Sequence, residues 1–106
     1  MNEFVVVMIT SPDREEAGKI ASALLEKRQA ACVGIYPRGE SLFRWEGKID
    51  RAEEFLLIAK TRRDLLDDLI ETVKSIHGYE VPEIIALPVV GGSRDYLDWL
   101  AGEVSG

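Results

Sequence analysis

The sequence predicts an α+β domain: an antiparallel sheet in the order β-α-β-β-α-β, with a long central hairpin, two helices on one face and a short C-terminal helix. Three observations predict it. Runs rich in β-branched and apolar residues at Phe4 to Thr10, Ala30 to Lys60 and Glu83 to Val90 have strand character. Between them, apolar residues recur at helical spacing from Ala17 to Leu25 and from Leu65 to Ile76. Glu46-Gly47, in the middle of the second run, is a hairpin turn signal.

The first strand ends at Ser11-Pro12. Asp13 then caps a helix, with Glu16 expected to reach back to it as in a capping box, and Ala17, Ile20, Ala21, Leu24 and Leu25 form the buried stripe. Ala30 to Tyr36 is a second strand, interrupted at Pro37-Arg38-Gly39 where a bulge or kink is expected, and resumed from Ser41 to Trp45. After the turn, Ile49 continues the chain through a polar stretch into Phe55 to Lys60. Thr61 is expected to cap the second helix with Asp64 three residues on, and Gly78 to take the left-handed position just beyond its end. Glu83 to Val90 is a strand with prolines near both ends, so it pairs over only part of its length. Ser93 is expected to cap the last helix, with Tyr96, Leu97, Trp99 and Leu100 as its adhesive side. With right-handed crossovers, this order is the ferredoxin-like, split β-α-β arrangement.

The 106 residues suit one domain over 1–106 with one core. A net charge of −6 repels phosphate backbones and anionic lipid, so no nucleic acid and no membrane surface is expected as a partner. Cys32 is the sole cysteine, which excludes an intrachain disulfide and an all-thiolate zinc site, and a reducing cytoplasm is the expected location. Its setting after Ala30-Ala31 reads as a small buried hydrophobe. No nucleophile elbow, dinucleotide loop or phosphate loop occurs, so the chain is read as not an enzyme. An acylphosphatase-type site would need an asparagine, and none follows Asn2.

The hairpin is oversized. An arm of about 14 residues spans roughly 46 Å, whereas the outer strands span roughly 23 Å. Its far half carries Leu42, Phe43, Trp45 and Ile49 without cover from its own chain. Exposed apolar residues on open strand edges lead to association, so an oligomer is expected, with strand addition between neighbours in a closed ring.

Two candidate sites stand out. His77, the only histidine, either interacts with the C-terminal carbonyls of the second helix or, with Glu80 and Glu83, ligates a transition metal. Trp45, Lys60, Tyr79 and Glu83 either line a cleft for a small anion or other small molecule between subunits, or serve as contact anchors and surface ions.

Several separated segments then carry a resemblance: Thr10-Ser11-Pro12-Asp13, Ala30-Ala31-Cys32-Val33, Trp45-Glu46-Gly47-Lys48, Lys60-Thr61, Tyr79-Glu80-Val81-Pro82-Glu83 and Asp95-Tyr96-Leu97-Asp98-Trp99. In order and spacing, over nearly the whole chain, they resemble the CutA divalent-cation tolerance proteins. The resemblance implies a homotrimer built like the PII signalling proteins and a role in tolerance of copper and other divalent ions. It implies no obligatory cofactor, with Cu(II) or another divalent cation as the ion to be bound. Copper-linked members use a first-strand cysteine and two adjacent histidines. Here Ile9 and Ile76 hold two of those places, His77 matches the third, and Gly78 stands where a proline usually follows. Gln29 replaces a residue that is usually apolar. A PII-like sensor that binds a metabolite between subunits is the alternative reading.

Overall fold

The computed structural model describes residues 3–105. Strand β1 (Phe4–Ser11), helix α1 (Arg14–Glu26), strands β2 (Cys32–Trp45) and β3 (Lys48–Arg62), helix α2 (Leu66–Ile76), strand β4 (Ile84–Pro88) and helix α3 (Arg94–Glu103) follow one another, with a 3-10 turn at Arg63–Leu65 before α2. The sheet is antiparallel in the order β2-β3-β1-β4. That order is the ferredoxin-like one expected of two crossover units joined by a hairpin.

Alternation along the strands sorts the sheet into two faces. Val5, Val7 and Ile9 of β1 and Leu57 and Ala59 of β3 are buried against Ala17, Ile20, Ala21 and Leu24 of α1 and Leu69 and Val73 of α2. Leu25 falls outside this stripe and is exposed, because it lies about 100° round the helix from buried Leu24. Gln29, unusual by the family pattern, accepts a 2.7 Å hydrogen bond from the hydroxyl of buried Thr72. The opposite face has no helix packed across its centre. The ladder sets Met8 between Ile58 and Ile85, and Val6 between Lys60 and Leu87, and both Ile85 and Leu87 are half exposed.

The hairpin reaches far beyond the sheet, giving the molecule extents of 44 × 26 × 23 Å. Its tip turns through Glu46 (φ 50°) and Gly47 (φ 80°), the left-handed pair whose twist matches a two-residue hairpin. The bulge lies where it was expected. Tyr36 pairs with Leu56 and Gly39 with Glu54, so Pro37 and Arg38 together oppose Phe55. The extra residue changes which residues of β2 share a face with the even-numbered residues of β3. Before it these are Cys32, Gly34 and Tyr36; after it they are Gly39, Ser41, Phe43 and Trp45.

Three local expectations are corrected. Thr61 does not cap α2: β1 still pairs here (Val5 with Thr61, Phe4 with Arg62), so the ladder keeps Thr61 in β3. The 3-10 turn starts from Arg62 without a side-chain cap, and Arg62 instead grips Asp64 with two bonds of 2.9 and 3.1 Å. Ser93 stands at the start of α3 but makes no side-chain cap bond. Gly78 is not left-handed, because α2 ends with His77 in extended backbone (φ −66°, ψ 137°). The last strand pairs over Ile84–Pro88, only part of Glu83 to Val90, as the prolines near its ends imply. Among the described residues, no helix is long and apolar enough to cross a membrane.

Thr61 is fully buried, and its hydroxyl finds no hydrogen-bond partner among the described residues. Thr61→Val keeps the β-branched shape and removes the orphaned hydroxyl, so it is expected to raise stability by about 1 kcal/mol, read as a higher urea midpoint at unchanged slope.

Candidate functional site

The C-terminal end of β1, the start of α1 and the segment after α2 meet at one carboxylate. Asp13 accepts a 2.8 Å bond from the Glu16 backbone N–H, as an N-cap should. The Glu16 side chain does not reach back to Asp13. Its Oε2 accepts from Ser11 Oγ (2.9 Å) and its Oε1 from the Gly78 N–H (2.6 Å). A β-carbon at position 78 would stand 3.0 Å from that Oε1, so a larger residue would require the Glu16 carboxylate to give by a few tenths of an ångström. Proline would have no N–H to donate.

His77 lies beneath this contact, its side chain fully buried. Nε2 is 2.6 Å from the Thr10 carbonyl oxygen, which can only accept, so Nε2 carries the hydrogen. Nδ1 accepts from the Tyr79 N–H at 3.1 Å, with Glu16 Oε2 3.7 Å away. Both ring nitrogens are therefore committed to backbone. The ring bonds to β1, not to the last carbonyls of α2; only the His77 N–H caps that helix, on Val73 O (2.9 Å).

Pinned in this way, residues 78–83 face the distal hairpin across a cleft of about 780 Å³. Its hairpin wall carries Ser41, Phe43, Trp45, Asp50 and Glu54, residues the bulge places on one face. Tyr79, Glu80, Val81, Pro82 and Glu83 form the opposite wall, and Thr10 lies at the base. Phe43 and Trp45 are 40% and 44% exposed, whereas Glu54 is 8% exposed. Burial, followed by the hydrogen bond to Glu54 and its charge, pushes the Tyr79 hydroxyl up to about 12.

The structure thus brings Trp45, Tyr79, Glu80 and Glu83 together and leaves Lys60 out. Lys60 sits on the open sheet face with its Nζ 5.8 Å from the centroid of the Tyr96 ring. Neighbouring Cys32, first, and Tyr96 raise its pKa. Cys32 is half-buried rather than a core residue, with its Sγ 3.4 Å from Tyr96 Oη, because β2 turns this position away from the helices. Phe43, Asp50 and Glu54 were not anticipated in the cleft. A bulge of one residue, read through to the tip, places Phe43 beside Trp45, and a carboxylate in strand sequence next to Phe55 signals Glu54.

For a metal, the donor set is sparse. Among the described residues no group of three or more His, Cys, Asp and Glu side chains converges. Ile9 is fully buried in the core and Ile76 packs against it. The residues present do not build a high-affinity site of the kind formed by a cysteine and two histidines.

The CutA1 divalent ion tolerance protein family model matches residues 5–103. The chain belongs to this family. It is 50% identical over 96 residues to the chloroplastic CutA protein of Arabidopsis thaliana, matching 91% of this chain and 53% of that protein, so it spans about half the length of this relative. The divalent cation tolerance protein (Cut A1) structure from Thermus thermophilus superposes with a TM-score of 0.94 at 47% identity, covering 96% of this chain and 99% of that one. The Archaeoglobus fulgidus structure, described as a periplasmic divalent cation tolerance protein CutA, gives 0.93 at 44%, covering 96% and 99%. These CutA relatives correct the expected cytoplasmic location, since one is chloroplastic and one periplasmic. A single cysteine excludes an internal disulfide but does not distinguish these compartments.

The Tyr79 shift has a pH signature. Because the folded state holds this proton more tightly than the unfolded chain, the associated stability is present below pH 10.0 and is lost as pH rises toward about 12. Over that window Tyr79→Phe is expected to lose less stability than wild type in denaturant titrations; parallel curves would count against the burial of this hydroxyl.

Proposed function

We propose that the chain is a single non-enzymatic domain that acts as a homotrimer in tolerance of divalent metal ions, with copper(II) as a weakly held cargo. Family membership over residues 5–103 carries this reading. The ion contact is assigned to the exposed carboxylates Glu80 and Glu83 at the cleft rim, with His77 holding the segment that presents them. Carboxylates with few convergent partners suit a hydrated, exchangeable ion better than a captured one.

Exposed apolar surface supports the oligomer. Ile85 (54%), Leu87 (50%) and Tyr36 (53%) leave apolar side chains open on the sheet face, and Leu42 (58%) and Ile49 (71%) do so on the hairpin. Packing three sheets face to face with hairpins braced on neighbours would cover both sets. The number three follows the family resemblance.

A second reading is favoured by the cleft itself: its volume and its aromatic and acidic walls suit a small metabolite, as in a PII-like sensor. Under this reading Lys60 belongs to the open-face contact and not to the ligand site.

Sedimentation equilibrium is expected to give three times the 11.8 kDa chain mass, and Leu87→Glu to lower it. Cu(II) calorimetry on the same preparations is expected to show weak binding that falls in the Glu80→Gln, Glu83→Gln double variant. A concentration-independent monomer overturns the trimer, and unchanged Cu(II) binding in the double variant removes the rim carboxylates.

A further inference from the structure

His77 is the sole histidine, and histidine is the side chain whose ordinary change of charge falls within the cellular pH range. Its ring is fully buried and both nitrogens are engaged: Nε2–H donates to the Thr10 carbonyl at 2.6 Å, and Nδ1 accepts the Tyr79 N–H at 3.1 Å. The Nδ1 lone pair is therefore the one place where a proton can add. Once it adds, Nδ1 is a donor, and two N–H groups point at each other over the same short distance. The bond to Tyr79 does not survive that reversal.

A new acceptor is already in place. Glu16 Oε2, from α1, lies 3.7 Å from Nδ1 on a side chain only 15% exposed, and among the described residues no lysine or arginine lies within 4.0 Å of Glu16. Oε2 accepts one hydrogen bond, from Ser11 Oγ, which leaves it room for a second. The remaining groups around the ring carry no charge at neutral pH. Thr10 of β1 offers a carbonyl, and the Tyr79 ring, 4.9 Å away between centroids, bears a phenol pushed up to about 12. Glu54 and Asp13 act on that phenol, and Lys74 in the last turn of α2 is exposed.

One residue nearer the helix, Gly78 donates to the other carboxylate oxygen, Oε1, at 2.6 Å, and a proton on His77 leaves that bond intact. The segment thus has a fixed point at Gly78 and a switchable one at Tyr79. Tyr79 is only half-buried, so its freed N–H reaches water by a small outward turn of the chain beyond Gly78.

We propose that His77 is a proton-operated latch on the cleft wall. Neutral, it holds Tyr79 and the residues after it; protonated, it pairs with Glu16, lets the Tyr79 backbone go and loosens the wall. The latch belongs to the wall itself and stands under either reading of what the cleft or its rim binds.

The test follows the wild-type chain from about pH 8 to about pH 5 by nitrogen NMR of the single histidine ring and by amide hydrogen exchange, expressed as protection over the intrinsic rate. The ring is expected to pass from the Nε2–H tautomer to the doubly protonated form. Over the same interval, protection of the Tyr79 amide is expected to fall about tenfold or more, while the amides of Gly78 and α2 keep theirs. In Glu16→Gln the coupled step is expected to need about tenfold more acid, because the side chain facing the imidazolium no longer carries charge. A ring that protonates without loss at Tyr79, or that is still neutral at the acid end, overturns the latch. Protection lost at Tyr79 and α2 together is general acid unfolding and overturns it as well. A step at unchanged pH in Glu16→Gln overturns the assignment of Glu16 as the new partner.

Discussion

One carboxylate, Glu16, sets the position of the segment on which the cleft depends. It sits in the first turn of α1, where the helix dipole favours negative charge, and accepts from Ser11 at the end of β1 and from Gly78 just past α2. Helix, strand and loop are thereby fixed to one side chain. Hydrogen bonds to a charged acceptor contribute about 1.5–3 kcal/mol each, enough to order a short exposed segment. His77 adds the second fastening, bridging the Thr10 carbonyl to the Tyr79 N–H. Residues 78–83 follow these two points and stand as a wall opposite the hairpin.

The hairpin supplies the other wall because of one extra residue. The bulge at Pro37 and Arg38 changes which side of β2 faces the cleft, so that Phe43 and Trp45 line up with Asp50 and Glu54. It also makes the cleft a continuation of the open sheet face, since the even-numbered residues of β3 run from Lys60 and Ile58 through to Glu54 and Asp50. Under the trimer reading, packing on the open face and ligand occupancy in the cleft act on the same strand. That continuity gives a sensor reading a mechanical basis: a shift along β3 would be felt at both ends.

Most of the fold was legible because local chemistry decided it. Asp13 before an amphipathic stretch, Glu46-Gly47 between strands and Pro37-Arg38-Gly39 within one each have few backbone solutions, and the structure adopts the expected one. The misplaced features were decided by distant partners. Thr61 has the chemistry of a cap, but β1 pairs with its backbone. Gly78 follows a helix as a left-handed glycine would, yet its backbone is set by the bond from its N–H to Glu16, 62 residues away. Trp45, Tyr79 and Glu83 line one cleft of the chain, whereas Lys60 stands outside it, its place set by the register of β3 against β2. Glu54 was overlooked because a strand carboxylate ordinarily faces water, whereas this one is 8% exposed in the β2–β3 ladder at the floor of the cleft.

Amide hydrogen exchange at Gly78 and Tyr79 tests the central claim, that Glu16 and His77 hold this wall in place, most directly. Gly78 is solvent-exposed as a residue, so its N–H would exchange rapidly without the bond to Glu16. The account predicts that both amides are protected in the wild type and that Glu16→Ala releases them while the amides of α2 stay protected. Rapid exchange of Gly78 in the wild type, or protection that survives Glu16→Ala, would contradict it.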